Sequence, residues 1–304
     1  MKIGIPRALL YYRYGKFWER FLTELGGEVV LSRKTDAEIV NKGLVHVSSE
    51  VCLPIKIVVG HLIELTEEVD AIFFPRLNWL GDKLFACPKM IGIVDVARML
   101  INGRVRLIAP PINGNLFRAH FFAGLQINPN PVRVWDAWKK AKKEFRWGIN
   151  LKSYCRSDLS PMSSNNTNVA VIGHFYNVGD EFVSRAILGT FRQNGYQVLT
   201  KEDLPELVLS KADGFSRNIR WVYERELFNA FEYFLGRVAG LCVIVSMGCG
   251  PDSLVAEFMR QQAQKQGVPF LLLVIDEHTG EAGLITRVEA FIELLKRRTK
   301  EKVS

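Results

Sequence analysis

Val169-Ala170-Val171-Ile172-Gly173 repeats the pattern of Lys2-Ile3-Gly4-Ile5-Pro6 at an offset of about 168 residues, and the segments that follow keep the parallel. Phe182 to Gln193 matches the aromatic-rich amphipathic stretch from Tyr12 to Leu25. Gly195-Tyr196-Gln197-Val198-Leu199-Thr200 matches Gly27-Glu28-Val29-Val30-Leu31-Ser32, and Glu202-Asp203-Leu204 matches Asp36-Ala37-Glu38. Short apolar runs alternating with helical periodicity predict a parallel sheet flanked by helices. The long offset makes this a duplicated α/β unit rather than a solenoid repeat. The fold expected is therefore two flavodoxin-like or Rossmann-like parallel-sheet units with helical connections.

In the first half, strands are expected at residues 2–6, 28–32, 70–75 and 105–109. Helices are expected at 12–25, from a Thr35 or Asp36 cap through Val40, from Cys52 to about Glu67, and from Pro88 to Leu100. Leu77 to Ala86 reads as a connecting loop. Residues 131–150 read as helical, and the polar stretch SDLSPMSSNNTN at 157–168 as the boundary. This divides the chain into a first α/β domain at 1–130 with Cys52 and Cys87, a helical and polar linker at 131–167, and a second α/β domain at 168–304 with Cys249. The second half continues with helices at 222–238, 253–266 and 283–298, and strands at 241–246 and 270–275.

With 304 residues, 48% of them apolar, the chain is long enough for two packed domains and too apolar to be disordered. The net charge of +8 suits an acidic partner or a phosphate ester. Lys and Arg are nevertheless interspersed with Glu, as on a solvated surface. The run KKAKKEFR at 139–146 and the Lys296-Arg297-Arg298 turn lack the interleaved aromatics of a nucleic-acid groove, so no nucleic-acid partner is expected. No apolar run approaches the roughly 20 residues of a membrane span, and Met1 to Ile5 reads as a strand rather than a leader. A cytoplasmic, membrane-free protein is expected. Five cysteines in such a chain do not form a disulfide framework.

Three of those cysteines share a local setting: Glu50-Val51-Cys52-Leu53-Pro54, Cys87-Pro88-Lys89 and Gly248-Cys249-Gly250-Pro251. Each precedes a proline suited to the first turn of a helix. A thiolate there gains from the helix dipole and from unpaired N–H groups. Three such thiolates point to a metal or an iron–sulfur cluster with one position open. Against this stands the ordinary role of cysteine as a small core hydrophobe, which fits Cys242 in Leu241-Cys242-Val243-Ile244-Val245. Cys155 reads as incidental beside the linker. The absence of any CxxC excludes an ordinary zinc ribbon.

Glu277 and His278, after the strand ending at Ile275, are candidates for a proton donor or for groups that orient ligands; a polar loop with Thr279 or Glu281 capping the last helix is the alternative. Lys56 and Lys89 follow cysteines and could balance cluster charge or face solvent. Arg7 and His174 hold equivalent positions just past the first strand of each half, where substrate contact is expected. P-loop, GxGxxG, HExxH and GxSxG motifs are all absent.

GIPRALLYYRYGKFW, EVCLPIKIVVGHL, the CPK turn, MGCGPDS and DEHTGEAGLITRVEAF together resemble the 2-hydroxyacyl-CoA dehydratase component family, in its acyl-CoA dehydratase activase-related branch, which is also related to double-cubane cluster proteins. The resemblance runs nearly the length of the chain. It implies a 4Fe–4S cluster on Cys52, Cys87 and Cys249 between α/β domains, or a double-cubane cluster shared by two subunits. It implies an ATP-dependent activator of actin/Hsp70 type, a homodimer or a heterodimer with a related subunit, and a small-molecule or CoA-ester substrate. The expected activity is that of an anaerobic-type reductive lyase or oxidoreductase. The alternatives are a non-catalytic iron–sulfur carrier or scaffold and a metal-free module binding an acidic ligand.

Overall fold

Parallel strands cannot be joined by a tight turn, so each must be followed by a crossover, usually a helix. The computed structural model describes residues 1–81, 84–144 and 167–303 and follows this rule twice. It divides into two compact units, Met1–Asn150 with Arg220–Val222, and Leu151–Ile219 with Tyr223–Ser304. The polar boundary stretch up to Asn166, and Cys155, lie outside the described residues.

The first unit runs β1 (Lys2–Ile5), α1 (Tyr11–Glu24), β2 (Glu28–Leu31), α2 (Ala37–Leu44), α3 (Leu53–Leu65), β3 (Ala71–Phe73), β4 (Arg76–Leu80), β5 (Leu84–Phe85), α4 (Pro88–Ile101), β6 (Arg106–Ile108), β7 (Pro111–Gly114), α5 (Leu116–Leu125) and α6 (Pro131–Glu144). Its main sheet has the order β2-β1-β3-β6, parallel throughout. The second unit runs β8 (Asn168–Ile172), α7 (Phe175–Val178), α8 (Glu181–Gln193), β9 (Gln197–Leu199), α9 (Glu206–Leu209), α10 (Val222–Phe234), β10 (Gly240–Ser246), α11 (Gly250–Lys265), β11 (Phe270–Ile275) and α12 (Glu281–Val303). Its sheet has the order β9-β8-β10-β11, again parallel. Counted within each unit the order is 2-1-3-4 both times, which is the flavodoxin-like arrangement and establishes the duplication.

Two regions depart from the sequence expectation. Leu77–Ala86 is not a simple loop: β4 and β5 pair antiparallel, β4 pairs parallel with β7, and the three form a small second sheet. These strands are too short for a period-2 pattern to register. Phe85 also donates its N–H to the Arg220 carbonyl at 2.9 Å, which draws Arg220–Val222 into the first unit. The second departure is α5, which follows β7 directly; the Asn115 side chain caps it by accepting from Arg118 N–H.

The first unit's core is aromatic. Tyr14, Phe17, Trp18 and Phe21 line one face of α1. Trp138 of α6 meets Phe17 edge-on at 5.1 Å. His120 of α5 is enclosed by these rings and fully buried. Trp18 Nε1–H donates to its Nε2 at 3.0 Å, while its Nδ1 lies 2.7 Å from the Leu116 carbonyl. Both contacts are satisfied by the neutral ring with Nδ1 protonated. Helices α2 and α3 cross at glycines: a Cβ on Gly43 would overlap the Lys56 carbonyl, and one on Gly60 the Ile39 carbonyl. Among the described residues, no helix is long and apolar enough to cross a membrane.

Gly60→Ala is expected to lower unfolding stability by about 1–3 kcal/mol or more, because a backbone carbonyl has no rotamer with which to yield; an unchanged urea midpoint would contradict the close crossing. Burial holds the His120 pKa down to about 4, against the raising effect of the Leu116 carbonyl. A depressed folded pKa gives stability that is present above the unfolded value of 6.5 and lost as pH falls toward about 4. The urea midpoint, followed by tryptophan fluorescence, is therefore expected to drop between pH 7 and pH 5, by up to about 1.4 kcal/mol per pH unit from this group. His120→Gln is expected to be less stable at pH 7 but to show a shallower dependence; an equally steep variant would refute the assignment.

Candidate functional site

A residue that precedes a helix in extended conformation can offer its side chain to the first free N–H groups. Cys52, Cys87 and Cys249 each occupy that N-cap position, at the starts of α3, α4 and α11, with φ/ψ of −67°/151°, −63°/150° and −86°/104°. Each helix has proline in its first two positions, where the missing N–H costs no bond. Cys87 Sγ accepts from Met90 N–H at 3.4 Å. Cys52 and Cys249 are buried, Cys87 is half-buried, and none is in a disulfide. Cys242 is enclosed in β10, where burial pushes its thiol well above the ordinary range and leaves it an inert core residue. Cysteines that open helices, one of them with a backbone N–H on its sulfur, are donors of a type that suits an iron–sulfur cluster.

The two lysines beside these cysteines act on one segment. Lys56, only 2% exposed, donates from Nζ to the Ser49 carbonyl at 3.0 Å. Lys89 donates to the next carbonyl, Glu50, at 3.1 Å. Lys56 lies on α3 and Lys89 on α4, so both cysteine-capped helices hold the backbone that leads into Cys52. Within the first unit the starts of α3 and α4 are thereby brought together.

In open α/β sheets, ligands bind beyond the carboxyl ends of the strands, where the strand order reverses. In the second unit that point lies between β8 and β10. Gly173 and His174 follow β8, and His174 caps α7. Past β10 the chain turns through Gly248 at φ +76°, which favours glycine, and enters α11 with Asp252 in its first turn. Glu224 lies in the first turn of α10. His174 Nε2 is 2.6 Å from Asp252 Oδ1 and 3.8 Å from Glu224 Oε1. The three are 1%, 3% and 3% exposed. Burial alone would lower the His174 pKa, but the Asp252 carboxylate and then Glu224 more than offset it, so the imidazole is held above its ordinary value. Burial pushes Glu224 up to about 7; His174 opposes this and Asp252 adds to it.

The other sequence candidates have contacts of their own. Arg7 holds the position equivalent to His174, and its N–H donates to Ser32 Oγ at 2.8 Å. With burial as the larger cause, it helps hold His61 down to about 3. Asp276, Thr279 and the His278 N–H close a turn on themselves before α12. The His278 side chain is 84% exposed, whereas that of Glu277 is 9% exposed. Glu224 and Asp252 were given no role by the sequence reading. Asp252 stands three residues after Cys249, in the first turn of α11, and that position is its one local signal.

No curated protein matches the chain. Among solved structures, one described as a novel D-lactate dehydrogenase from Sporolactobacillus sp aligns over 100% of this chain and 98% of its own, at 13% identity and a TM-score of 0.18; a likeness at that level carries no argument. A protein family described as CoA enzyme activase uncharacterised domain (DUF2229) matches residues 2–204, a span that holds Cys52, Cys87 and His174 and ends before Cys249. It agrees with the activase-related resemblance, without pointing to a particular dehydratase component. With two thirds of its length matched, the chain belongs to the CoA enzyme activase domain family.

Proposed function

We propose that this chain is an iron–sulfur protein that serves acyl-CoA dehydratase activation, with Cys52, Cys87 and Cys249 as the ligands of a 4Fe–4S cluster. The observation that carries this reading is the shared placement of the three cysteines as N-caps of proline-started helices. The family description supports the link to CoA enzymes. A bound cluster would supply one-electron transfer at low potential, with one iron left for an exogenous ligand. The chain's own residues supply the rest. Helix dipoles and free N–H groups favour the thiolate forms. Met90 N–H donates to Cys87 Sγ. Lys56 and Lys89 hold the Ser49 and Glu50 carbonyls and so fix the approach to Cys52. The partners that follow are an ATP-dependent activator of actin/Hsp70 type and a dehydratase component acting on a CoA ester.

Iron and acid-labile sulfide, measured with an optical spectrum on protein purified without oxygen, are expected at about four of each per chain. Cys52→Ser, Cys87→Ser and Cys249→Ser should each lower the iron content, while Cys242→Ala should not. No iron after reconstitution would overturn the reading in favour of a metal-free binding module. Lys56→Met removes a buried donor and leaves the Ser49 carbonyl unpaired, so a stability loss of about 1–3 kcal/mol and faster loss of iron are expected. Lys89→Met, at an exposed position, is expected to cost about 0.5 kcal/mol or less in stability. Equal effects of the two changes would contradict the roles given to these lysines.

A further inference from the structure

The buried charges of the second unit do not balance. Among its described residues, six carboxylates are buried against two permanent cations. Four of the six have partners outside the His174 group, although neither oxygen of Glu202 has a hydrogen bond beyond its ion pair with Lys201. Asp180 accepts from Phe182 N–H at the start of α8, and Asp203 accepts from the Thr200 N–H and hydroxyl. Glu202 and Glu226 both face Lys201 Nζ, at 2.7 and 3.0 Å. Arg225, the second cation, donates to the Ile219 and Arg217 carbonyls. Glu224 and Asp252 are left, both converging on the same nitrogen of His174.

Two buried carboxylates sharing one imidazole are an incomplete arrangement. His174 can carry one positive charge and can donate from Nε2 to one oxygen at a time. Asp252 Oδ2 and His174 Nδ1 are both buried with no hydrogen-bond partner. Nearby, Asn177 Nδ2 is also buried and without a partner, while its Oδ1 accepts from Ser246 Oγ at 3.3 Å. The imidazole itself is held in place: it stacks on Tyr176 at 4.7 Å and 22°, and Tyr223 meets it edge-on at 6.4 Å.

We propose that His174, Glu224 and Asp252 form a binding site for one first-row divalent metal ion, of the Mn²⁺, Fe²⁺ or Zn²⁺ class, at the strand-order switch point of the second unit. The three offer one nitrogen and two carboxylate oxygens, all within 4.8 Å of one another. Ligand bonds near 2.0–2.2 Å set neighbouring ligand atoms about 3.3 Å apart. An ion between them therefore requires the 2.6 Å pair to open and the 3.8 Å pair to close, each by less than about 1 Å. Two negative charges with a neutral imidazole match a dication in a place closed to water. The mixture of imidazole and carboxylate favours Mn²⁺, Fe²⁺ or Zn²⁺ over Ca²⁺, which takes six to eight oxygens. This site does not depend on the cysteine reading, since no thiolate belongs to it.

Mn²⁺ is the first probe, because it is poorly bound by thiolates. The full chain, treated with chelator and purified without oxygen, is titrated with Mn²⁺ while the paramagnetic resonance signal of the free ion is followed. One Mn²⁺ per chain is expected, displaced by Zn²⁺ as the order of divalent affinities requires. Glu224→Gln and Asp252→Asn keep shape and remove charge, and each is expected to weaken binding by about 100-fold or more, the upper range for loss of even an outer-shell partner. Glu257→Gln, a surface carboxylate on the same helix α11, is expected to leave the affinity unchanged. Thermal unfolding gives a second readout: Mn²⁺ should raise the midpoint of the parent chain and not that of either carboxylate variant. An ion pair only is the opposing outcome. It would appear as no Mn²⁺ or Zn²⁺ bound by a folded parent chain, or as unchanged affinity in Glu224→Gln and Asp252→Asn, and either result overturns the site whatever the iron content.

Discussion

Parallel pairing of the strands is the constraint from which the chemistry of this chain follows. A parallel strand must be reached by a crossover, and here the crossovers are mainly helices that run back against the strands. Strand carboxyl ends and helix amino ends therefore gather along one edge of each sheet. That edge carries free N–H groups and the positive ends of helix dipoles. In the second unit it holds His174, Cys249 and Asp252, each within a few residues of a strand end or a helix start. In the first, Cys52 and Cys87 open α3 and α4.

The two copies of the unit use this edge with opposite electrostatics. Past the first strand of the first unit stands Arg7; burial first, and then the Arg7 charge, hold the His61 pKa well below its ordinary value. At the equivalent place in the second unit stands His174, raised by two carboxylates. Helix α10 occupies the place of α3 between the second and third main-sheet strands, and its first turn carries Glu224 where α3 is opened by Cys52. The two units share a strand order but place an arginine at this corner in one and an imidazole beside two carboxylates in the other. A shared backbone plan thus supports different ligand chemistry, because the strand order depends on main-chain pairing while the ligand set depends on a handful of side chains.

Backbone crowding ties the first unit's cysteine setting to its helix packing. The carbonyl of Lys56 lies against Gly43 at the α2–α3 crossing, while the ammonium of the same residue holds the Ser49 carbonyl. One residue thus joins the helix crossing to the segment before Cys52. Lys89 reinforces this from α4 through the Glu50 carbonyl. Lysine suits the buried place: the long apolar stem of Lys56 crosses the packed region and its ammonium reaches a carbonyl beyond it.

The sequence by itself determined the features that depend on neighbours within a turn or a short strand. Apolar periodicity marked β1, α1, β8 and β10, the internal repeat announced two units of one kind, and the Cys-Pro and Cys-Gly-Pro turns marked the N-caps of α4 and α11. The pairing of β4 with β5 and β7 was not legible, since strands of two to five residues carry too little pattern and their stability comes from partners elsewhere in the chain. Nor was the destination of Lys56, which is buried on a carbonyl rather than solvated. The meeting of His174 with Asp252, 78 residues on, and with Glu224 was decided only by the tertiary structure. It requires β8 and β10 to be neighbours and α10 to return to their carboxyl ends, and no local propensity encodes that arrangement.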